Sequence, residues 1–387
     1  MSYDLRLVAY APNGARLGIL PHPLSVQVAW PLNDVPSLKF AYSSHAVGAN
    51  LIAQPCEIGV QWSADGNVWT ENGDGRFILA RREGDQLDPS RTWQFDCPSY
   101  LWVLKKAVTY AHASIAPVNG QRVYGSPTPN ATAGFIMNSL LTEAQARGAL
   151  AGFSWTFTGS LDSATPPLTW NQTFGLGVPL GTDVLAVLLT LVDAGLIDIR
   201  MTGPRTLSAW RPGTAILRDL TTGATPVELA GGRDIRAAPD VGTLEDLASA
   251  AYVVGDSSFR VERVNVGTPL PWGRWEVGVR QVGVTEATAA NLVGDSLLVR
   301  GAVERVQRTR ELVFAPNTRW LPLRDYLPGD RIYAPGNAGQ RVALRVRQIT
   351  LTRTDRGVVS GNLVLDDRLA DQEIRLRRRI ALLANRP

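Results

Sequence analysis

The chain has 387 residues, 45% hydrophobic and 19% charged, and its 39 Lys+Arg against 35 Asp+Glu give a formal net charge of +4. That length predicts more than one core but no more than about four modules, the composition excludes a disordered chain, and so small a charge excess does not mark a nucleic-acid binder. Cys56 and Cys97 make no disulfide framework and read as buried small apolar side chains, and the three histidines, His22, His45 and His112, lack the spacing of a zinc or iron site.

The opening Met1-Ser2-Tyr3-Asp4-Leu5 lacks the basic start and apolar run of a secretory signal, so synthesis and assembly in a cytoplasm are expected. Residues 4–10 and 15–20 flank Asn13-Gly14, a dipeptide that closes tight hairpins because both residues tolerate positive φ. Residues 24–30 and 37–42 alternate apolar and polar as half-buried strands do. Residues 56–62 follow, and Asp65-Gly66 turns the chain into 68–70. Gly73 and Gly75 bracket a further turn into 76–81, and residues 92–97 lead to a last apolar stretch at 100–104. Turns at intervals of about ten residues predict a sandwich or barrel. The stretch from Asp65 to Gly75 lacks the ligand order and closing Glu of a calcium loop, and two hairpin turns account for it better.

Composition shifts near residue 111, and residues 111–130, rich in Gly, Pro, Ser and Asn, read as a loop or linker. Asn130-Ala-Thr-Ala then caps a predicted helix with Phe135, Ile136, Leu140 and Leu141 on one face, ending by Gly148. Thr182-Asp183 caps a second over 184–194, stopped by Gly195. Its apolar run, 184–192, is far short of the ~20 residues that cross a bilayer. The glycines at 175, 177 and 181 have neither the dinucleotide nor the P-loop spacing, so a loop before a buried helix is the expectation. Strands are expected at 196–201 and 206–210.

From Ala251 the strand signal returns, with candidates at 251–255, 260–266, 274–279, 297–300 and 311–314 and a short helix at 285–291. A dense passage follows: Asp325-Tyr-Leu-Pro-Gly-Asp330, then 340–352, the turn Asp355-Arg-Gly357, and 358–365. Only three lysines occur, so 36 of the 39 cations are arginine, the residue suited to planar, bidentate ion pairs. Arg341, Arg345 and Arg347 alternate with Val342, Leu344 and Val346, giving one cationic and one apolar face. The end of the chain carries Arg375, Arg377, Arg378 and Arg379 beside Ile374, Ile380 and Leu383, a basic tail or docking helix. The seven arginines named are the candidate subunit or partner interface, with solvated charge as the alternative.

No constellation for chemistry is legible. There is no nucleophile elbow, no His-Glu-x-x-His and no Cys paired with His and Asn. The neighbours Glu245-Asp246 and Asp366-Asp367 diverge in any regular element and make no acid/base pair. A non-enzymatic protein without metal or cofactor is expected. A carbohydrate-binding β-sandwich protein, or a peptidoglycan hydrolase with a site built from distant carboxylates, stand as alternatives.

Several segments in order resemble the tail hub of tailed bacteriophages, also called the baseplate or tail-tip hub, in the form of the minor tail proteins of long, non-contractile tails. They are Trp30-Pro-Leu-Asn-Asp34 with Ser37-Leu-Lys-Phe40, the hairpin Gly75-Arg-Phe-Ile-Leu-Ala-Arg-Arg-Glu-Gly84, the two helical stretches, and Tyr326-Leu-Pro-Gly-Asp330 with the strands after it. The resemblance implies a mainly β fold with a smaller α+β middle region. Two β-barrel or sandwich tube-like modules, 1–110 and 241–368, the second with its own insertion, flank and support an inserted helix-containing domain, 111–240, and 369–387 form the basic tail or helix. It further implies a structural virion protein: a homotrimer at the tail tip that adapts a sixfold tube to threefold tip or fibre proteins and serves host cell attachment and genome ejection. The implied partners are the distal tail protein ring, the tape-measure protein C-terminus and tail fibre or spike proteins. DNA would pass through the channel transiently without specific binding, most arginines would lie at interfaces, and the lumen would be neutral or acidic.

Overall fold

The first turn forms as its dipeptide dictates: Asp4–Tyr10 and Arg16–Leu20 pair antiparallel across Asn13-Gly14, with Leu7 opposite Leu20. The computed structural model describes residues 3–365 apart from 54, 86–90, 112–116, 118–119, 125–130, 194, 212–217, 246, 256–258, 266–271, 281–286, 303–304 and 337–338. The tail with Arg375, Arg377, Arg378 and Arg379, and His112, lie outside the described residues. Asp4–Tyr10 also pairs with Glu57–Ser63, which pairs with Thr70–Ile78, completing a four-stranded sheet.

Strands from both ends of the chain share a second sheet. Ser25–Pro31 pairs on one side with Ser37–Ser43 and on the other with Arg341–Thr354, so that Trp30 stands opposite Ile349. The ten-stranded sheet continues through Thr92–Pro98 to Arg81–Gly84 at one edge. In the other direction it passes through Val359–Leu365 and Arg305–Leu312 to Ile235–Ala237 and Asp240–Thr243, and Arg331–Pro335 branches off the start of Arg341–Thr354 as the tenth strand. One hydrophobic core lies between the sheets and holds Leu5, Val28, Phe40 and Phe77 together with Leu229, Tyr326, Ile349 and Leu363. Tyr3 stacks on Phe314 at 4.5 Å between ring centres and donates its hydroxyl to the Pro322 carbonyl at 3.2 Å.

The long strand Arg341–Thr354 changes phase once. Val342, Leu344 and Val346 point inward at even positions, whereas Ile349 and Leu351 do so at odd ones. A bulge between Val346 and Gln348, at Arg347, absorbs the extra residue and lets both apolar runs face one core. The turn before it is drawn tight by its own side chains. Asp330 accepts from the Leu327 amide at 2.8 Å, Gly329 (φ 101°) takes a conformation that suits glycine, and its N–H donates to Val346 at 2.7 Å.

The middle of the chain builds a second core around two helices, Ala133–Ala146 and Val184–Asp193. Thr132 caps the first by accepting from the Phe135 amide at 3.1 Å, and Asp183 caps the second through the Ala186 amide at 2.8 Å. Ile136, Met137, Leu140 and Leu141 are buried against Val184, Leu188 and Leu191. Phe135, expected on this face, is exposed and meets Tyr124 edge-on, because Met137 takes the inward position instead. Asp198–Gly203 and Thr206–Trp210 pair as expected.

Five further expectations need correction. Gly73 and Gly75 lie within one bulged strand, Thr70–Ile78, not at a turn. A side chain at Gly73 would stand 2.2 Å from the Thr202 carbonyl oxygen, so its glycine serves a close backbone approach to the helical unit. The apolar stretch 100–104 coils into the 3-10 helix Tyr100–Lys106, burying Leu101 and Leu104 in the second core. Within the expected linker 111–130, Gln121–Tyr124 forms a strand, and its partner is Leu176–Pro179, read as a loop for its glycines. Each strand needed the other to satisfy its amides, a pairing that no local pattern carries. Residues 297–300 belong to the helix Ala287–Gly301, which also extends the expected short helix. A four-residue apolar run does not distinguish strand from helix; packing on Ala250–Val254 and Arg260–Val264 decided it.

Candidate assembly interface

Arg341, Arg345 and Arg353 of the strand Arg341–Thr354 meet carboxylates of the same chain. Arg341 lies over the Tyr333 ring at 3.6 Å and 3.4 Å from Glu228, half exposed at the sheet margin. Arg345 donates to Asp198 at 3.1 Å, and Arg353 to Asp4 at 2.7 Å. Arg331 stands beside Arg345 across the strand pair. Arg347, the bulge residue, offers its carbonyl to the Leu32 amide at 2.7 Å, while its Nε is buried without a hydrogen-bond partner.

These contacts form part of a polar seam between the β body and the helical unit. Asp198, on the first strand of the helical unit's sheet, is buried and receives Arg345 together with the Asn33 amide group at 2.5 Å. Asn33 in turn accepts from the Ile199 amide at 2.8 Å. Arg200 donates to the Pro328 carbonyl at 3.0 Å, within the tight turn that precedes Arg331–Pro335. Further along, buried Glu57 receives Arg76 at 3.1 Å from its own sheet and Arg205 from the helical unit. Arg76 also binds Glu71 at 2.7 Å and stacks on Tyr10 at 3.5 Å. Arginine forks fit this role because each guanidinium serves several acceptors while staying charged.

Asp74 sits at the same seam without such a fork. Burial pushes its carboxyl up to about 6, and nearby Arg200 only partly draws it back. Asp234 shows the opposite balance. Burial raises it, but Arg233 and the amides of Ala230 and Arg319 outweigh burial and hold it below the ordinary carboxylate range. Asp162 accepts from Ala164 and Leu168 at 3.0 and 2.8 Å, and Asp330 from Arg218 at 2.5 Å. Apart from Asp74, the buried carboxylates named here are occupied by backbone N–H or guanidinium donors, which fits a scaffold. Among the described residues no group of three His, Cys, Asp or Glu side chains could hold a metal ion, and no helix is long and apolar enough to cross a membrane.

Two outer strands of the ten-stranded sheet are exposed and unlike. Every residue of Arg81–Gly84 is exposed, and the strand presents Arg81, which pairs with Glu83, and Arg82, stacked over Trp93 at 4.5 Å. At the far end, Asp240–Thr243 presents Val241 and then Leu244, both exposed, while Asp240 faces inward to Arg310 at 2.6 Å. Of the tryptophans that could mark a sugar surface, Trp30, Trp62, Trp170 and Trp210 are buried. The seam's carboxylates had no local sequence signal, since they lie far along the chain from the arginines they meet.

No protein-family model matches the sequence, and no curated protein matches it. Solved structures do. A tail protein from Neisseria meningitidis superposes with a TM-score of 0.58 at 11% identity, over 95% of this chain and 97% of that one. The 43 kDa tail protein of prophage MuSo2 from Shewanella oneidensis gives 0.57 at 11% identity, over 93% and 98%. A prophage tail protein from Listeria monocytogenes gives 0.50 at 12% identity, over 93% and 94%. The chain therefore has the mainly β fold of phage tail proteins, shared from end to end.

Proposed function

We propose that this chain is a structural virion protein that forms the trimeric hub at the distal end of a phage tail. It would adapt a sixfold tube to threefold tip or fibre proteins around the DNA exit channel. The observation that carries the reading is the ten-stranded sheet, which joins both ends of the chain and presents two unlike exposed outer strands, Arg81–Gly84 and Asp240–Thr243. Exposed edges leave backbone donors and acceptors unpaired, and unlike edges satisfy one another by heterologous contact. Three copies repeating that contact around an axis close a ring. The end-to-end likeness to tail proteins supports the same reading.

In this reading the distal tail ring, the tape-measure protein C-terminus and tail fibre or spike proteins are the partners, and the role is non-catalytic. Exposed Arg341 would lie at subunit or partner contacts with the basic tail, whereas Arg345 is spent on the intrachain seam. DNA would pass a lumen poor in free cations, because unpaired arginine there would retain phosphates. Native mass measurement with negative-stain imaging tests the proposal: a trimeric ring with a central hole is expected. A compact monomer at every concentration overturns it. Peptidoglycan turnover abolished by one carboxylate change would establish the hydrolase instead.

A further inference from the structure

We infer that the outward face of the four-stranded sheet, around Arg6 and Arg16, is a docking surface for an acidic protein segment that carries apolar side chains beside its carboxylates. In Asp4–Tyr10 the side chains of Leu5, Leu7 and Ala9 enter the first core, so Arg6, Val8 and Tyr10 line the opposite face. Register sets Arg16 beside Tyr10 and Ile19 beside Val8, and the extra residue at the irregularity between Ala9 and Tyr10 is Leu17. Leu17 is 46% and Ile19 38% exposed, both on the outermost strand of that sheet.

The charges decide the occupant. The carboxylates that approach this face are already taken: Asp4 by Arg353 at 2.7 Å, Glu57 by Arg76 and Arg205, and Glu71 by Arg76 and the Tyr10 hydroxyl. Asp74 lies buried beside Arg200. Among the described residues the Arg16 side chain has neither hydrogen bond nor ion pair, and that of Arg6 has only the bond from its Nε to Gln61 Oε1, at 2.7 Å. The Arg6 guanidinium also lies over the Trp69 ring at 4.3 Å, so it is held in place before any partner arrives. Burial and the neighbouring Arg16 charge lower it below its ordinary value, and two cations that repel each other gain from a carboxylate placed between them. An acidic polypeptide with apolar neighbours uses both parts: its carboxylates take forked bonds from Arg6 and Arg16, and its apolar side chains cover Leu17 and Ile19. A nucleic acid would find only two free cations beside several carboxylates and would leave both apolar side chains bare. The inference does not depend on the trimer.

Fluorescence anisotropy with a labelled random copolymer of glutamate and tyrosine, run beside polyglutamate and single-stranded oligodeoxythymidylate, tests it. The native chain is expected to bind the copolymer more tightly than the other two, and less tightly as salt rises. Arg6→Gln with Arg16→Gln should weaken that binding by roughly tenfold or more, with circular dichroism and oligomeric mass unchanged. Leu17→Ser with Ile19→Ser should remove the preference over polyglutamate. Arg16→Glu, a single change at an exposed side chain, should weaken binding in the same direction and serves if the double variant does not fold. Absence of copolymer binding, native binding by the arginine variants, or tighter binding of the oligonucleotide overturns the inference. So does loss of oligomeric mass in Arg16→Glu, since the face then meets a second copy of the chain. Failure of the trimer reading would appear in the mass of the native chain alone.

Discussion

Trp30 and Leu188 are both almost fully buried, yet the residues that bury them lie at very different distances along the chain. Trp30 sits opposite Ile349 in a sheet that needs both ends of the chain, and its indole donates to the Asp74 carbonyl at 3.2 Å. Leu188 packs in a core drawn almost wholly from residues 101–209, on a helix with its own cap. The β body is therefore a non-local structure, assembled only when distant strands meet, while the helical unit is mostly local. Between them runs a seam of arginine–carboxylate pairs, which adds orientation more than net stability because desolvation offsets much of the attraction.

The largest expected effect tests whether the β body is one unit. Trp30→Ala should cost about 4 kcal/mol in urea unfolding. Amide exchange should rise in Arg341–Thr354 as well as in Ser25–Pro31, whereas Leu188→Ala, at about 3 kcal/mol, should raise exchange chiefly in the helical unit. Continued protection of Arg341–Thr354 in Trp30→Ala would break the comparison.

The seam comes next. Glu57→Ala leaves Arg76 and Arg205 without their shared acceptor and should cost about 3 kcal/mol. A double-mutant cycle between Glu57 and Arg205 should give a coupling of about 1–2 kcal/mol, less than for a fully buried pair because Arg205 is partly exposed. Strict additivity would mean that the two units do not communicate through this contact.

The smallest effect is a pH dependence. An aspartate in the unfolded chain titrates near ~3.9, and Asp74 in the fold at about 6. The fold binds this proton more tightly, so the contribution is complete below about pH 4 and is lost as pH rises through 6. Asp74→Asn should remove that slope and leave the protein more stable than the parent at pH 7, by on the order of 2 kcal/mol. An unchanged pH profile would place the titration elsewhere.

Local chemistry alone was enough for the Asn13-Gly14 hairpin, the Thr132 and Asp183 caps, the alternation of Ser25–Pro31 and the burial of Cys56 and Cys97. In each, the deciding contacts fall within a few residues or within a period-2 pattern. The resemblance to tail hubs was likewise legible from the order of such segments. Only tertiary structure decided that Gly73 admits the backbone of Thr202, that Gln121–Tyr124 and Leu176–Pro179 are strands, and that residues 297–300 are helical. The same holds for the arginines: their spacing showed a cationic face, but the acceptors of Arg345 and Arg353 are Asp198 and Asp4, 147 and 349 residues away. A charge pattern states what a surface can bind, and only the fold brings the partner to it.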